Sequence, residues 1–406
     1  MTSIQHGIVE NKLQIALQLL QVFLVGLTIG ITRIVVPGLA ESEFGLGGQQ
    51  FLLLTSFVVV FGVMKSIMNL LAGYFSDFYG RKYVLITGWI IAIPIPFMIL
   101  LAPNWNWIVT ATLLLGVNQG LCWSMTINSK LDLTHAHQRG LVNGMNEFSG
   151  YVAVAVAGVV TAYFVDLIGA RQGLFIFGIT VVILGLVSAI FLIKETLPWA
   201  KLHNIKPAPT HSLTKLFIQA SWQNKILLAL NQAGLIEKFT DAVVWIFLPV
   251  FFLSKGLSLL EASAIISVYA LVWGSLQLIT GPLSDKIGRK VLIVGGMWLC
   301  GLGLLSMPYT NHIFLWTLES GIIGVGMAML YPVLGAAVAD FAPVETRGTL
   351  LGIYRFWRDF GYAVAALTLG IVAQWSGALT SPFILASMSM ILSGLVVLII
   401  VPKQIK

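Results

Sequence analysis

The sequence predicts an all-α membrane protein with twelve transmembrane helices, arranged as two parallel six-helix repeats and with both termini in the cytoplasm. Three observations lead to this fold class: the composition, a series of long apolar runs, and an internal repeat. Of the 406 residues, 58% are hydrophobic and only 10% are charged, whereas a soluble domain is usually about 25% charged. This composition excludes a soluble enzyme, a disordered chain and a nucleic-acid-binding protein.

Each apolar run is long enough to cross a bilayer, since a helix needs about 20 mostly apolar residues to span the hydrocarbon core. Continuous runs of this length predict helices, because a membrane barrel would show shorter segments of alternating polarity. The twelve predicted spans are residues 13–36, 51–73, 83–102, 107–127, 140–165, 173–193, 225–253, 261–281, 291–308, 313–338, 349–373 and 382–401.

The Lys and Arg residues predict the orientation in the membrane. With the N-terminus inside, sixteen of the 23 fall in cytoplasmic segments, two in outer loops and five within spans. Because basic residues are enriched in cytoplasmic loops, this bias predicts that both termini are cytoplasmic. The net charge of +7 therefore reflects mainly topology and does not indicate an affinity for anions.

The longest polar stretch divides the chain after the sixth span. We predict an N-terminal six-helix half over residues 1–193, a central cytoplasmic loop over residues 194–224 and a C-terminal six-helix half over residues 225–406. The loop contains Trp199, Phe217 and Trp222, whose aromatic rings could rest on the inner leaflet.

The two halves repeat one loop. Residues 73–82 read Gly-Tyr-Phe-Ser-Asp-Phe-Tyr-Gly-Arg-Lys, and residues 281–290, at an offset of 208, read Gly-Pro-Leu-Ser-Asp-Lys-Ile-Gly-Arg-Lys. The pair Arg139-Gly140 recurs as Arg347-Gly348 at the same offset. Two halves of the same orientation form a parallel repeat, related by an axis along the membrane normal.

The repeated loop, the span count and the central loop resemble the major facilitator superfamily over the whole chain. The family signature is Gly-x-Leu-Ser-Asp-x-x-Gly-Arg-Lys after the second span of each half, and the first copy departs from it at Phe75 and Phe78. The resemblance implies a secondary transporter that works by alternating access, similar to proton-coupled efflux members for drugs or metabolites. It also implies a conformational role for the signature-loop residues Gly73, Asp77, Gly80, Arg81, Lys82, Gly281, Asp285, Gly288, Arg289 and Lys290.

The residue types in these loops have a physical interpretation of their own. Gly73 and Gly80 would permit a tight turn and a close approach of helices. Asp77 and Asp285 could each meet the N-terminus of a neighbouring helix or an Arg. Alternatively, the basic residues of the loops serve only to orient the chain in the membrane.

Charged residues within the spans are the main candidates for the mechanism, because each costs at least about 2.5–3.5 kcal/mol at the bilayer centre. Five are basic and five are acidic, which favours internal pairing. They are Arg33, Lys65, Lys238, Arg355, Arg358, Glu147, Glu237, Asp241, Glu319 and Asp359.

The seventh span has the richest polar stripe. Glu237 and Asp241 are four residues apart, and two like charges at that spacing repel, so one of them could hold a proton. We therefore take this pair as the leading proton-coupling candidates. The alternative is an ion pair with Lys238 or with an Arg of another helix.

The eleventh span combines two arginines with one carboxylate. Arg355 and Asp359 are four apart and could pair directly. Arg358 has no carboxylate at that spacing on its own helix, so it could face Glu147, Glu237 or an anionic substrate.

Glu147 in the fifth span and Glu319 in the tenth are further proton-coupling candidates. Arg33, toward the outer end of the first span, could extend to water or meet Glu41 or Glu43.

Polar and aromatic residues at helical spacing in several spans could line a central cavity. The substrate-cavity candidates are Gln21, Thr28, Thr32, Arg33, Asn118, Gln119, Trp123, Lys238, Trp245, Tyr269, Trp273, Gln277, Tyr354, Arg355, Arg358 and Asp359. Two sequence motifs that are frequent in proton-coupled members of this superfamily are incomplete in this chain. Gly116 stands where such members often have an Arg, and no Pro follows Gly158.

The sequence thus predicts a transporter of a small organic solute in a plasma membrane, the inner membrane if the source is bacterial. It predicts no enzyme activity, no cofactor, no metal and no nucleic-acid partner, and a monomer as the functional unit. Proton-coupled export is the first interpretation. A uniporter or a proton-coupled importer of an organic anion, and a non-transporting membrane sensor or scaffold, are the alternatives.

Overall fold

The computed structural model describes residues 5–46, 50–135, 138–203, 213–343 and 346–403, and this part of the chain forms helices joined by loops, with no strand. A first helix set precedes the predicted central loop and consists of α1 (Lys12–Ser42), α2 (Phe51–Tyr79), α3 (Arg81–Ala92), α4 (Pro94–Leu100), α5 (Trp105–Leu133), α6 (Arg139–Ile168) and α7 (Ala170–Phe191). A second helix set follows it and consists of α10 (Lys225–Ala242), α11 (Leu248–Ser254), α12 (Leu259–Ile287), α13 (Arg289–Ser306), α14 (Ile313–Phe341), α15 (Arg347–Ser376) and α16 (Ser381–Ile400).

Eleven helical stretches of the described residues are long and apolar enough to cross a membrane. The seventh predicted span is helical in the structure, but it is not among the eleven. Its first segment, α10, carries four charged residues within 18 positions, which lowers its hydropathy below that of the other spans.

Two prolines explain why two predicted spans are broken. A proline has no N–H to donate, and its ring clashes with the carbonyl four residues before it. The predicted span 83–102 is accordingly divided into α3 and α4 just before Pro94. In the span 225–253 the chain widens into a π-helix over Val243–Phe247 before Pro249 in α11, which is a common way for a helix to accommodate such a residue.

The central loop contains short helices. They are α8 (Leu197–His203), α9 (Leu213–Ile218) and a π-helix over Gln219–Gln223, while residues 204–212 of the predicted loop lie outside the described residues. The segment before α10 packs on α15, where Trp357 Nε1 donates a hydrogen bond to Ser221 Oγ at 2.8 Å. Trp222 remains 64% exposed, so its ring is available to the surroundings of the bundle.

The sequence repeat is also a repeat in space. Gly80 and Gly288 each end a helix with a positive φ, +94° and +97°, a conformation that favours glycine. Gly73 does not contribute to this turn, contrary to our expectation, because it lies within α2 and a β-carbon built on it would meet nothing within 4 Å. We call the end of the bundle that carries these two turns the signature-loop end.

The two helix sets are in contact through two pairs of long helices, α2 with α15 and α6 with α12. The two helices of each pair are in close contact at the end of the bundle opposite the signature loops, and they diverge toward the signature-loop end. A β-carbon added at Gly62 of α2 would lie 2.5 Å from the Ala363 nitrogen of α15, and one added at Gly274 of α12 would lie 3.0 Å from Tyr151 Cβ of α6. Of the glycines nearer the signature-loop end, Gly73, Gly140, Gly281, Gly348 and Gly352 have open space around them, whereas a β-carbon on Gly144 of α6 would lie 3.4 Å from the Leu278 side chain of α12.

Candidate functional site: a central cavity between the helix sets

The separation of the helices leaves a central cavity of about 550 Å³ between the two sets. Its wall extends from Trp123 and Arg358 in the interior to Asp285 and Arg289 at the signature-loop end. The cavity therefore opens at the signature-loop end. At the opposite end Thr55 and Gly370 are in contact, since a β-carbon on Gly370 would lie 2.5 Å from Thr55 Oγ1. We call this opposite end the closed end.

A buried ion pair joins the two sets beyond the cavity, toward the closed end. Arg33 of α1 binds Asp241 of α10 through two hydrogen bonds, Nη1–Oδ1 at 2.6 Å and Nη2–Oδ2 at 2.8 Å. The expectation that Arg33 extends to water or meets Glu41 or Glu43 was wrong. Arg33 is only 3% exposed, and Glu43 pairs with Arg171 instead.

Aromatic residues enclose this ion pair. The hydroxyl of Tyr269 donates to Asp241 Oδ1 at 3.2 Å, and that of Tyr362 donates to Oδ2. The guanidinium of Arg33 lies 5.1 Å from the ring centroid of Trp245. Phe61 packs on the same Trp245 ring, with centroids 4.8 Å apart. The pair is thus removed from water, and removing one partner would leave a buried charge uncompensated.

Glu237, one turn before Asp241, is also adjacent to a cation. Its Oε1 lies 3.1 Å from Nζ of Lys238, and both side chains are fully buried. Neither carboxylate oxygen of Glu237 has a hydrogen-bond partner among the described residues. Each leading proton candidate therefore has a neighbouring cation, as the ion-pair alternative predicted.

The charges of α15 pair differently from our expectation. Asp359 binds Arg358, the residue directly before it, through Nε–Oδ1 at 2.9 Å and Nη2–Oδ2 at 3.0 Å, and it does not bind Arg355. Asn69 of α2 also donates to Asp359. Arg358 is thus paired with a carboxylate of its own helix that the sequence prediction had not considered, and it also lines the cavity, so a role toward a substrate stays a prediction. Helical spacing missed this pair because it considers only residues one turn apart.

Among the described residues, Arg355 and Arg139 are the cavity-lining cations without an ion pair within 4 Å, and Arg139 lies at the start of α6, near the signature-loop end. Glu147 of α6 lines the same cavity and is 3% exposed. Its Oε1 accepts hydrogen bonds from Trp123 Nε1 at 3.1 Å and Asn146 Nδ2 at 2.9 Å, whereas its Oε2 has no partner in the described part of the chain.

Two lysines are buried at places that the sequence did not indicate. Lys65 of α2 is 6% exposed, and its Nζ lies 5.4–5.7 Å from the ring centroids of Phe61, Trp123 and Tyr362. Lys130, near the end of α5, is 1% exposed, and its Nζ donates a hydrogen bond to the Gln18 carbonyl at 3.2 Å. Aromatic faces stabilise a desolvated ammonium group, and this explains how Lys65 is tolerated although it makes no ion pair within 4 Å in the described part of the chain.

Six of the predicted cavity and proton-coupling residues line the cavity: Trp123, Glu147, Gln277, Tyr354, Arg355 and Arg358. Arg33, Lys238, Trp245, Tyr269, Trp273 and Asp359 are buried and do not belong to its wall. Glu319 is distant from it, near the start of α14, where it accepts a hydrogen bond from Thr310.

The polar stripe of α1 and its partners in α5 lie inside the first helix set, which corrects their prediction as cavity residues. Gln21 donates to Ser188 Oγ at 2.7 Å, Gln119 donates to Thr28 Oγ1 at 2.9 Å, and Asn118 donates to the Gly88 carbonyl at 2.9 Å. These bonds satisfy polar groups between helices of one set. Thr28 and Thr32 border only a small void of about 20 Å³ within that set.

Some cavity residues were missed by the sequence analysis. Asn69, Ser124 and Tyr331 all line the wall. Asn69 could have been found, because it is a polar residue inside an apolar span. Tyr331 could not, since tyrosine in a membrane helix usually packs against its neighbours.

The signature loops are held by matching hydrogen bonds. Arg81 binds Asp77 Oδ1 at 2.7 Å and Asp132 Oδ2 at 3.0 Å. In the second set, Arg289 binds Asp285 at 2.5 Å and Asp340 Oδ2 at 3.1 Å. The aspartates that the repeat analysis missed, Asp132 and Asp340, are again 208 residues apart. In this structure Asp77 and Asp285 therefore meet an Arg, which is one of the two predicted possibilities.

A carboxylate of the central loop occupies the N-terminus of α3. Glu195 accepts hydrogen bonds from the backbone N–H of Arg81 at 2.9 Å and of Lys82 at 3.0 Å. A carboxylate at this position interacts favourably with the helix dipole. The position at the same offset in the second repeat is Lys403, so the second loop has a cation at the corresponding place in the chain.

Comparison with known proteins agrees with this architecture. The chain is 23% identical over 372 residues to the uncharacterized MFS-type transporter YhhS of Salmonella paratyphi C (strain RKS4594), covering 86% of this chain and 84% of that protein. It is 28% identical over 125 residues to the probable L-galactonate transporter of Escherichia coli (strain K12), which is 30% of this chain and 28% of that protein. It is 30% identical over 128 residues to the methyl viologen resistance protein SmvA of Salmonella typhimurium (strain 14028s / SGSC 2262), which is 31% of this chain and 26% of that protein.

The family comparison covers nearly the whole chain. The sequence profile of the Major Facilitator Superfamily matches twice, over residues 19–237 and 233–405. The two matches follow the two helix sets, and the helices are apolar enough to cross a membrane several times. The chain is a multi-pass membrane protein and belongs to the major facilitator superfamily of transporters.

Proposed function

We propose that the protein is a secondary transporter that carries a small organic anion through the membrane by alternating access. The observation that supports an anion is Arg355, a cavity-lining guanidinium without an ion-pair partner within 4 Å in the described residues. A guanidinium is charged at any physiological pH and matches a carboxylate in a bidentate geometry. A cavity of about 550 Å³ is large enough for a small metabolite.

The proposed moving units are the two predicted halves, residues 1–193 and 225–406, joined by the loop 194–224. We count α10 to α11 as the seventh of twelve spans, because this stretch is helical throughout and its charges face partners inside the protein. With both termini in the cytoplasm, as the basic residues predict, the cavity opens to the cytoplasm. The homologues from Salmonella support placement in a bacterial inner membrane.

Proton coupling is part of the proposal. Asp241, Glu237 and Glu147 are its candidates, since each carboxylate is buried, Asp241 in the ion pair between the helix sets and Glu147 at the cavity wall. Protonation of Asp241 would weaken its bond to Arg33 and so link proton binding to the contact between the sets. We retain export as the first direction and uptake as the alternative.

The experiment is flux through proteoliposomes with a panel of organic anions, cations and neutral solutes, with and without a pH gradient. We expect flux of at least one anion, and loss of most of it in Arg355→Gln. The matched control is Arg171→Gln, because Arg171 is partly exposed and pairs with Glu43 outside the cavity. Flux of cations or neutral solutes alone would overturn the assignment to anions, and no flux of any solute would favour the scaffold interpretation.

The coupling proposal has its own measurement. Glu237→Gln and Asp241→Asn should reduce the dependence of flux on the pH gradient while exchange of labelled solute continues. An unchanged dependence in both variants, and in Glu147→Gln, would exclude these carboxylates as coupling groups. The direction of net flux under an imposed gradient decides between export and uptake.

A further inference from the structure

We propose that the ligand of the cavity is bipolar, with a carboxylate at one end and a hydrogen-bond donor, a hydroxyl or an ammonium group, at the other. Arg355 would bind the carboxylate and Glu147 the donor. This inference rests on the proposed function and narrows its substrate class from organic anions to hydroxylated or amino-substituted carboxylates.

The two residues belong to different helix sets and share one cavity. Arg355 lies on α15 in the second set, and Glu147 lies on α6 in the first. Both line the cavity, and the two form no ion pair with each other within 4 Å. A ligand between them would therefore contact both sets at once, and alternating access requires such a contact if ligand binding is to bias the movement of the sets.

Among the charged residues of the described wall, Arg355, Glu147 and Arg139 make no ion pair within 4 Å, and Arg139 lies away from the interior, at the start of α6 near the signature-loop end. Arg358 is bound to Asp359, and Arg289 to Asp285 and Asp340. A simple anion on Arg355 would face the carboxylate of Glu147. A donor group on the same molecule removes this repulsion, because Oε2 of Glu147 has no hydrogen-bond partner among the described residues.

The wall between the two residues has further unused polar groups. Both amide atoms of Gln277 and the hydroxyl of Tyr354 are buried without a hydrogen-bond partner in the part of the chain that the structure describes. Both residues line the cavity. Buried polar groups are normally satisfied, so unpartnered groups at a cavity wall indicate a polar ligand and argue against a purely apolar one.

The test is calorimetric binding to the purified full-length protein with four six-carbon probes of matched size. Hexanoate has the carboxylate alone, sorbitol has hydroxyls alone, gluconate has a carboxylate with hydroxyls, and 6-aminohexanoate has a carboxylate with an ammonium group. A hydrogen bond to a charged group changes affinity by roughly tenfold or more. We expect gluconate or 6-aminohexanoate to bind at least about tenfold more tightly than hexanoate and than sorbitol.

Variants then assign the two ends. Arg355→Gln should weaken binding of the preferred probe by about tenfold or more. For gluconate, its affinity should then be similar to that of sorbitol, which has no carboxylate. Glu147→Gln keeps an acceptor oxygen but loses the charge, so it should remove a preference for the ammonium probe and largely spare a preference for gluconate. Glu147→Met removes the acceptor and should abolish either preference.

The outcomes separate this inference from the proposed function. Equal binding of hexanoate and the two bipolar probes overturns the bipolar ligand but leaves anion transport standing. The bipolar ligand is also overturned if none of the probes binds, or if the preference for a bipolar probe over hexanoate survives in Glu147→Met. The proposed function is decided independently, by the flux panel.

Discussion

The ion pair between Arg33 and Asp241 leads to the most direct prediction, because it joins the two helix sets near the closed end. The substitution Arg33→Met removes one partner and keeps most of the side-chain volume. Breaking a buried pair in this way costs about 3–5 kcal/mol. Asp241 retains the hydroxyls of Tyr269 and Tyr362 as donors, so we expect the lower end, about 3 kcal/mol. The substitution therefore destabilises the conformation in which Arg33 and Asp241 join the two helix sets.

The expected population change follows from this energy. Since every 1.4 kcal/mol is about a factor of ten in an equilibrium constant, the ratio of open to closed molecules at this end should rise by about a hundredfold. Thr55→Cys supplies the measurement, because Thr55 is fully buried in the closed end and the natural Cys122 and Cys300 are buried elsewhere. Its rate of alkylation by a water-soluble maleimide reports the open fraction, so the rate should rise by a similar factor in Arg33→Met.

Two comparisons make the prediction specific. The double variant Arg33→Met with Asp241→Leu removes both charges and should return much of the protection, because replacing a whole buried pair by apolar residues is often nearly neutral. Arg171→Met breaks the more exposed pair with Glu43, for which the cost is usually below about 1 kcal/mol, and should leave the alkylation rate unchanged. An unchanged rate in Arg33→Met, or an equal increase in Arg171→Met, would refute the assignment of the pair to closure.

Three further predictions concern the closed end of the bundle, the contact of α2 with α15 and the N-terminus of α3. Thr55→Cys combined with Gly370→Cys should form a disulfide, because the two β-carbons would be 3.3 Å apart, near the usual range of about 3.5–4.5 Å; oxidation should stop flux, and a reductant should restore it. Gly62→Ala should lower the thermal midpoint and raise the alkylation of a cysteine at position 55, since its β-carbon would lie 2.5 Å from the backbone of α15, whereas Gly73→Ala, with open space around it, should do neither. Glu195→Gln should destabilise the N-terminus of α3 by about 1 kcal/mol, seen as faster amide hydrogen exchange at residues 81–84, and equal exchange in both proteins would contradict this role.

The spans and the repeat could be read from the sequence because they depend on local or periodic information. The apolar runs correspond to helices in the structure, although Pro94 and Pro249 interrupt two of them. The 208-residue offset predicted two equivalent loops, and the structure adds Asp132 and Asp340 to them at that same offset. These features follow from the length of a bilayer and from duplication, neither of which requires knowledge of packing.

The candidate site could be predicted only in part. Glu147 and Arg355 were found because an ionisable residue inside a span is rarely accidental. Their roles were not separable from those of Arg358 and Asp359 by sequence, since adjacent residues and residues one turn apart are both possible partners. The buried position of Lys65 was likewise hidden, because the aromatic rings around it come from three helices, α2, α5 and α15.

The sequence by itself determined the membrane class, the order of the spans, the orientation bias and the set of charges placed in the membrane. Only the tertiary structure decided which of those charges neutralise one another. Arg33 meets Asp241 across 208 residues of chain, and this contact exists because α1 and α10 present these faces to each other. Ion pairing in an apolar interior depends on distances of a few ångströms between helices, and such distances are set by the packing of whole helices. The same packing leaves Arg355 and Glu147 facing the cavity, each without an ion pair within 4 Å in the described residues.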